Sequence, residues 1–166
     1  WELLGGRCRD KIRLHLLGGG GTPDAMIDAA RAATEEGFTA LKFDPVHHID
    51  VGIDKMVKNA VELTAAAREG GGPDLDLIIE IHRKLTPMTA RTLCEALAPF
   101  NLYFLEDPIQ IDSIQAQADL ARRTQVPIGN GERLTTIWEF RELLEGGGPQ
   151  YVRPDVGLAG GITHCK

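Results

Sequence analysis

Leu77-Ile78-Ile79-Glu80-Ile81-His82, continuing into Arg83-Lys84-Leu85-Thr86-Pro87, is the stretch on which the fold turns. A short, β-branched apolar run stops abruptly in a carboxylate and an imidazole. Side chains alternate across a strand, so this pattern predicts Glu80 and His82 on one face. Two later stretches repeat the design. Leu102–Leu105 runs into Glu106-Asp107-Pro108, and Val126–Gly131 runs into Glu132-Arg133. The acids stand 26 residues apart, 80 to 106 and 106 to 132. That interval matches one strand, loop, helix and return, the repeat of a parallel βα array. Acids at the carboxyl ends of consecutive parallel strands converge, and convergent carboxylates make a hard-cation site.

The flanking segments extend the repeat in both directions. Lys11 to Leu17 alternates and predicts a first strand, closed by the Gly18–Gly21 run; that run lacks the spacing and the Lys-Ser/Thr of a P-loop and reads as a plain loop. Thr22-Pro23-Asp24 caps a helix that Gly37 ends. A second strand follows over Thr39 to Asp44, with a helix over Asp54 to Arg68 stopped by Gly70-Gly71-Gly72-Pro73. Further helices are predicted over Met88–Leu97, Ser113–Arg123 and Thr135–Leu144, and a sixth strand over Gln150–Arg153. This makes an α/β chain of about six βα units, the last helix only begun. Ionisable groups end nearly every strand (Lys42 and Asp44, Glu80 and His82, Glu106, Glu132, Asp155), which favours a (β/α)8 TIM-type barrel over an open sheet with one switch point. Eight units and roughly 250 residues close such a barrel. The expectation is therefore a partial barrel over residues 10–166, with residues 1–9 as the end of an absent N-terminal domain. Unpaired first and sixth strand edges then predict association or poor solubility.

The 166 residues carry a net charge of −6 and are 43% hydrophobic. With no basic run or aromatic-basic patch, nucleic acid is not an expected partner, and no apolar stretch is long enough to cross a membrane. Cys8, Cys94 and Cys165 are odd in number and widely spaced, which fits free thiols in a reducing cytoplasm. His47-His48 reads as solvated loop rather than a metal pair, and His164 as helix surface.

Three carboxylates suit Mg2+, whereas zinc prefers His or Cys. Taken singly, each Glu reads as a solvated strand end; the equal spacing of three favours the metal. Such an ion stabilises the dianion formed when a proton α to a carboxylate is removed. His82 is placed to reach a substrate, although it could merely cap its loop. Lys42 reads as a base or, preferably, as counter-ion to the metal acids. Asp44 and Arg83 face the same region with roles left open. Asp155 could orient a histidine from a following strand.

The strings ALKFDP (40–45), EIHRKLTP (80–87), FLEDP (104–108), GNGER (129–133) and YVRPDVGLAGGIT (151–163) resemble the enolase superfamily, in its mandelate racemase-like branch. They are most similar to acid-sugar dehydratases of the galactonate and mannonate type, from about Leu3 to Lys166. The resemblance implies the C-terminal barrel domain of an enolase-like fold, with Glu80, Glu106 and Glu132 as Mg2+ ligands. It implies His82 as general acid for a departing hydroxyl, and Asp155 as the Asp of an Asp–His dyad whose base lies on a seventh strand. It also implies a cytoplasmic enzyme acting on a small sugar acid, homo-oligomeric when complete. Two departures stand out. Glu80 replaces the usual Asp, and Asp44 replaces the second lysine of the racemase Lys-x-Lys pattern, which leaves dehydration easier than two-base racemisation. A racemase, epimerase or cycloisomerase on the same scaffold, and a non-catalytic binding or regulatory homologue, are the competing readings.

Overall fold

The computed structural model describes residues 1–166 and holds one six-stranded sheet, all parallel, in the order β1-β2-β3-β4-β5-β6. The strands are β1 Leu16–Leu17, β2 Ala40–Phe43, β3 Asp76–Glu80, β4 Phe104–Glu106, β5 Ile128–Asn130 and β6 Tyr151–Val152. Helices α1 Pro23–Glu35, α2 Ile53–Gly71, α3 Pro87–Leu97, α4 Ile114–Arg123, α5 Ile137–Glu145 and α6 Ile162–Cys165 follow them in turn. The strand order is the chain order, with no switch point, so the sheet is a barrel wall left open between β1 and β6. No helix is long and apolar enough to cross a membrane.

Alternation along the strands sorts the side chains into two environments. Leu41, Phe43, Leu77, Ile79, Ile81, Leu105 and Ile128 point outward into the 27-residue core beneath the helices. Each such fully buried aliphatic chain contributes roughly 1.5–3 kcal/mol. Ala40, Ile78 and Phe104 point inward and form a small apolar layer completed by Tyr151. One step further along the same strands, at i+2, stand Lys42, Glu80 and Glu106. The inner wall is therefore apolar below and charged at the carboxyl ends.

The boundaries correct several expectations. The first strand shrinks to two residues, because β1 is an edge: residues 9–14 have no neighbour on their open side and are exposed. The second helix runs through Gly70 and Gly71 and stops at Gly72, where φ is +76°. Gly70 is required by close packing, since a Cβ there would stand 2.2 Å from the Ile27 carbonyl oxygen of α1. Arg68 then ties the helix end to the carbonyls of Gly72, Pro73 and Leu75. Strands β4 and β5 each begin two residues later than expected, because the ladder is set by the register to β3 rather than by apolar content.

Helix α5 is capped by reciprocal bonds: the Glu139 backbone N–H donates to Thr136 Oγ1 at 3.3 Å, and the Thr136 N–H donates to the Glu139 carboxylate at 2.8 Å. The Thr135 N–H and the Thr136 hydroxyl hold the Glu139 carboxyl below its ordinary value of 4.5. A carboxyl depressed in the fold stabilises it above the unfolded value, and that contribution disappears as pH falls through the depressed one. Thr136→Ala is expected to cost about 1 kcal/mol near neutral pH. The melting-temperature difference between wild type and Glu139→Gln should shrink on acidification from about pH 6 to about pH 3.

Candidate metal centre

Glu80 and Glu106 end adjacent strands and are directly paired in the ladder, so their side chains leave the sheet side by side. Both are almost wholly buried. Glu132 lies two residues beyond β5, in the turn after Gly131, and is half-buried. Gly131 has φ of +125°, and a Cβ on it would meet the Phe140 ring at 2.8 Å, so only glycine brings Glu132 round to the strand ends here. One oxygen from each of the three acids lies within 4.8 Å of the others.

Cations of the chain surround this group. Lys42 Nζ is 2.7 Å from Glu80 Oε2 and 2.7 Å from Glu106 Oε2, and its side chain is 11% exposed. Burial alone would lower the Lys42 ammonium, but its contacts with Glu106 and Glu80 outweigh that and hold it above its ordinary value. Arg153, following β6, donates from Nε to Glu106 Oε1 at 3.2 Å. Arg83 pairs with Glu132 and, at 3.1 Å, with Asp107 Oδ2. Asp107 is buried beside the trio; burial first, then the charges of Glu132 and Glu80, push its carboxyl up to about 7 against the opposing pull of Arg83. Two like charges about 4 Å apart repel by about 4 kcal/mol at an effective dielectric near 20. Without these cations the acids could not share the strand ends in ionised form.

The donor set fits a divalent cation. It supplies oxygens only, the preference of Mg2+ and Ca2+. Ligand oxygens on opposite sides of Mg2+ stand about 4.2 Å apart, so a trio already within 4.8 Å is close to the span of one ion. Glu106 Oε2 also accepts no well-directed hydrogen bond, its Lys42 contact being a charge contact alone.

Around the trio, the expected site residues fall into two groups. β3 ends at Glu80, and both His82 (φ +55°) and Arg83 (φ +63°) are left-handed, so strand alternation no longer governs His82. Its backbone N–H donates to Glu80 Oε1 at 2.9 Å, while its ring leans toward β2, with Nδ1 2.9 Å from Asp44 Oδ2. Asp44 also accepts from the Val46 N–H and from Lys84 Nζ, so its carboxylate is engaged within the chain rather than facing open space. Arg83 likewise turns away from the cavity that His82 borders, toward Glu132 and Asp107. Asp155 is exposed, and its Oδ1 accepts from the Leu158 N–H at 2.9 Å; no histidine of these residues hydrogen-bonds to it. His47 and His48 line a separate cavity of about 460 Å3 with Asn59 and Glu62, and His164 sits on the short α6.

Asp107, Arg153 and Lys84 escaped the sequence reading. Asp107 carried a signal, standing beside Glu106 before Pro108, but a second adjacent acid on a strand would point to the opposite face. It faces the site because its φ is +43°. Arg153 had the same inward parity as Tyr151, and only the register of β6 shows what it meets.

Residues 25–166 match the model of the family described as Enolase C-terminal domain-like. A D-galactonate dehydratase of Cronobacter sakazakii is 32% identical over 166 residues, which cover 99% of this chain and 44% of that protein. A crystal structure of a proposed dehydratase from Salmonella enterica serovar Typhimurium superposes with a TM-score of 0.91 at 31% identity, over 99% of this chain and 47% of that one. An enolase from Agrobacterium radiobacter, crystallised with Na and L-malate, gives 0.88 at 29% identity, over 98% and 42%. The chain thus spans under half the length of these relatives.

Removing Lys42 leaves two buried carboxylates without their shared partner. Lys42→Met in the presence of chelator is expected to destabilise the chain by about 3–5 kcal/mol, read as a lowered melting temperature.

Proposed function

This chain belongs to the enolase C-terminal domain-like family, and on that premise we propose that it carries the metal-binding half of a Mg2+-dependent acid-sugar dehydratase. The observation that carries the reading is the convergence of Glu80, Glu106 and Glu132 oxygens within 4.8 Å. The D-galactonate dehydratase relative supports a polyhydroxy carboxylate as substrate, and the L-malate bound by a structural neighbour is itself a hydroxy acid. The protein that contains this chain acts on a small molecule.

In this reading Glu80, Glu106 and Glu132 hold the ion. When bound, Mg2+ supplies the positive charge that stabilises the anion formed at a carboxylate after loss of its α-proton. Lys42, between Glu80 and Glu106, has a flexible four-carbon stem that lets its ammonium meet a substrate carboxylate beside the trio. His82 faces the same mouth and, as the imidazolium, gives its Nε2 proton to the departing hydroxyl, which leaves as water while the Nδ1 proton stays on the Asp44 side. Asp155 serves as the orienting member of a dyad whose histidine this stretch does not supply. For that reason residues 1–166 alone are expected to show negligible turnover. Loss of water and tautomerisation give a 2-keto-3-deoxy acid.

A racemase, epimerase or cycloisomerase would need a base on the second strand as well. Asp44 at that position, already tied to His82 and Lys84, favours dehydration instead. Mg2+ is expected to raise the melting temperature of the chain, and Glu106→Gln to abolish the rise; a protein indifferent to metal would favour a non-catalytic homologue. In the longer protein, an acid-sugar panel in deuterated water should yield a 2-keto-3-deoxy acid. Deuterium exchange or inversion at the α-carbon without loss of water would instead establish an isomerase.

A further inference from the structure

The two loops that follow β2 and β3 are stitched together at one carboxylate. Asp44 Oδ1 accepts from the Val46 N–H at 2.9 Å, which fixes the carboxylate plane against its own loop. Its Oδ2 meets His82 Nδ1 at 2.9 Å and accepts from Lys84 Nζ, and Lys84 donates in addition to the Val46 carbonyl at 2.6 Å. Both oxygens are therefore committed to the chain. On the other side of the ring, Nε2 makes no hydrogen bond, and His82 borders a cavity of about 300 Å3 together with Asp44, Glu80, His47 and the glycine loop before α1.

The path of the backbone makes this arrangement specific. Two consecutive non-glycine residues in the left-handed region, His82 and Arg83, cost of order 1–3 kcal/mol each. The cost is met by anchors on either side: the His82 N–H on Glu80 Oε1, the Arg83 N–H on the Asp107 carbonyl at 2.7 Å, and Lys84 on Asp44. The double left-handed turn sends residues 82 and 84 toward β2 and residue 83 toward β4 and β5. An imidazole held at Nδ1 by a carboxylate keeps that proton in its neutral and its protonated form alike, in one orientation, and leaves Nε2 as the nitrogen that takes up and gives the second proton. A second lysine at position 44 would have opposed both neighbours.

We infer that Asp44 is a positioning residue which, through Oδ2, fixes the tautomer and aim of His82 so that Nε2 faces the substrate mouth beside Glu80. This deepens the role of His82 proposed above and rests on it. Asp44 acts in this role through His82, both of its oxygens being engaged by the chain.

The test is the 15N spectrum of the imidazoles in the whole 166-residue chain, at about pH 8.5 where histidine is neutral, for wild type, Asp44→Asn and Asp44→Glu. In wild type the His82 proton is expected on Nδ1. In Asp44→Asn, whose amide can donate as well as accept, it is expected to move largely to Nε2, and Asp44→Glu should restore it. An unchanged circular dichroism spectrum and a cooperative melting transition verify that each variant is folded. Should Asp44→Asn unfold, Asp44→Glu decides alone: retention of the Nδ1 proton supports the pairing and its loss overturns it. A wild-type proton on Nε2, or an Asp44→Asn spectrum identical to wild type at His82, also overturns it. Because the readout needs no turnover, a failure of Mg2+ binding removes the dehydratase reading and leaves the Asp44–His82 pairing standing, while a failed tautomer test does the reverse.

Discussion

Four carboxylates gathered at one end of a sheet, Glu80, Glu106, Glu132 and Asp107, set the terms for everything around them. Burial takes away the water that would screen them, and proximity makes each charge harder to hold. The chain answers with Lys42, Arg83 and Arg153 in direct contact, while burial and the neighbouring acids push the Asp107 carboxyl well above its ordinary value. That balance keeps the strand ends together and leaves oxygens close enough for one divalent ion. A lysine that bridges two prospective metal ligands is also movable, which a fixed backbone donor would not be.

The barrel wall makes this concentration of charge affordable because its two faces are chemically separate. Outward residues of β2 to β5 are buried under the helices, against apolar residues that the helices contribute. Inward residues need only form a thin floor of Ala40, Ile78, Phe104 and Tyr151 before the polar layer begins. The parallel ladder then carries chemistry from strand to strand: Glu80 opposite Glu106 is a consequence of register, not of any attraction between them. At β5 the strand falls short, and a left-handed glycine completes the reach to Glu132.

The turn after β3 links the metal ligands to the chemistry expected beside them. Its strained residues send His82 to the Asp44 side and Arg83 to the Glu132 side, so one short segment touches every part of the centre. A loop with relaxed dihedrals could hold one of these contacts but not both. Asp44 and Lys84 pair at the rim, on the β2 side of the histidine, while the His82 backbone N–H stays on Glu80.

Spacing and alternation were legible in the chain itself. Three acids at equal intervals, each ending an apolar run, are enough to predict a parallel βα array and a shared cation site, because strand direction and repeat length leave them nowhere else to go. The capping residue Thr22 likewise marks a helix start through local bonding, and the structure adds Thr86, Ser113 and Thr136 as caps of three more. Strand ends were less legible, since register is a property of pairs: β4 and β5 begin where the neighbouring ladder permits, not where apolar residues begin. Which partners Arg83, Asp107 and Arg153 find depends on positive φ angles and on a sixth strand distant in sequence. The order of residues determined which charges would meet at one end of the sheet. Only the tertiary structure decided how they pair, because pairing is settled by directions of side chains that local sequence does not encode.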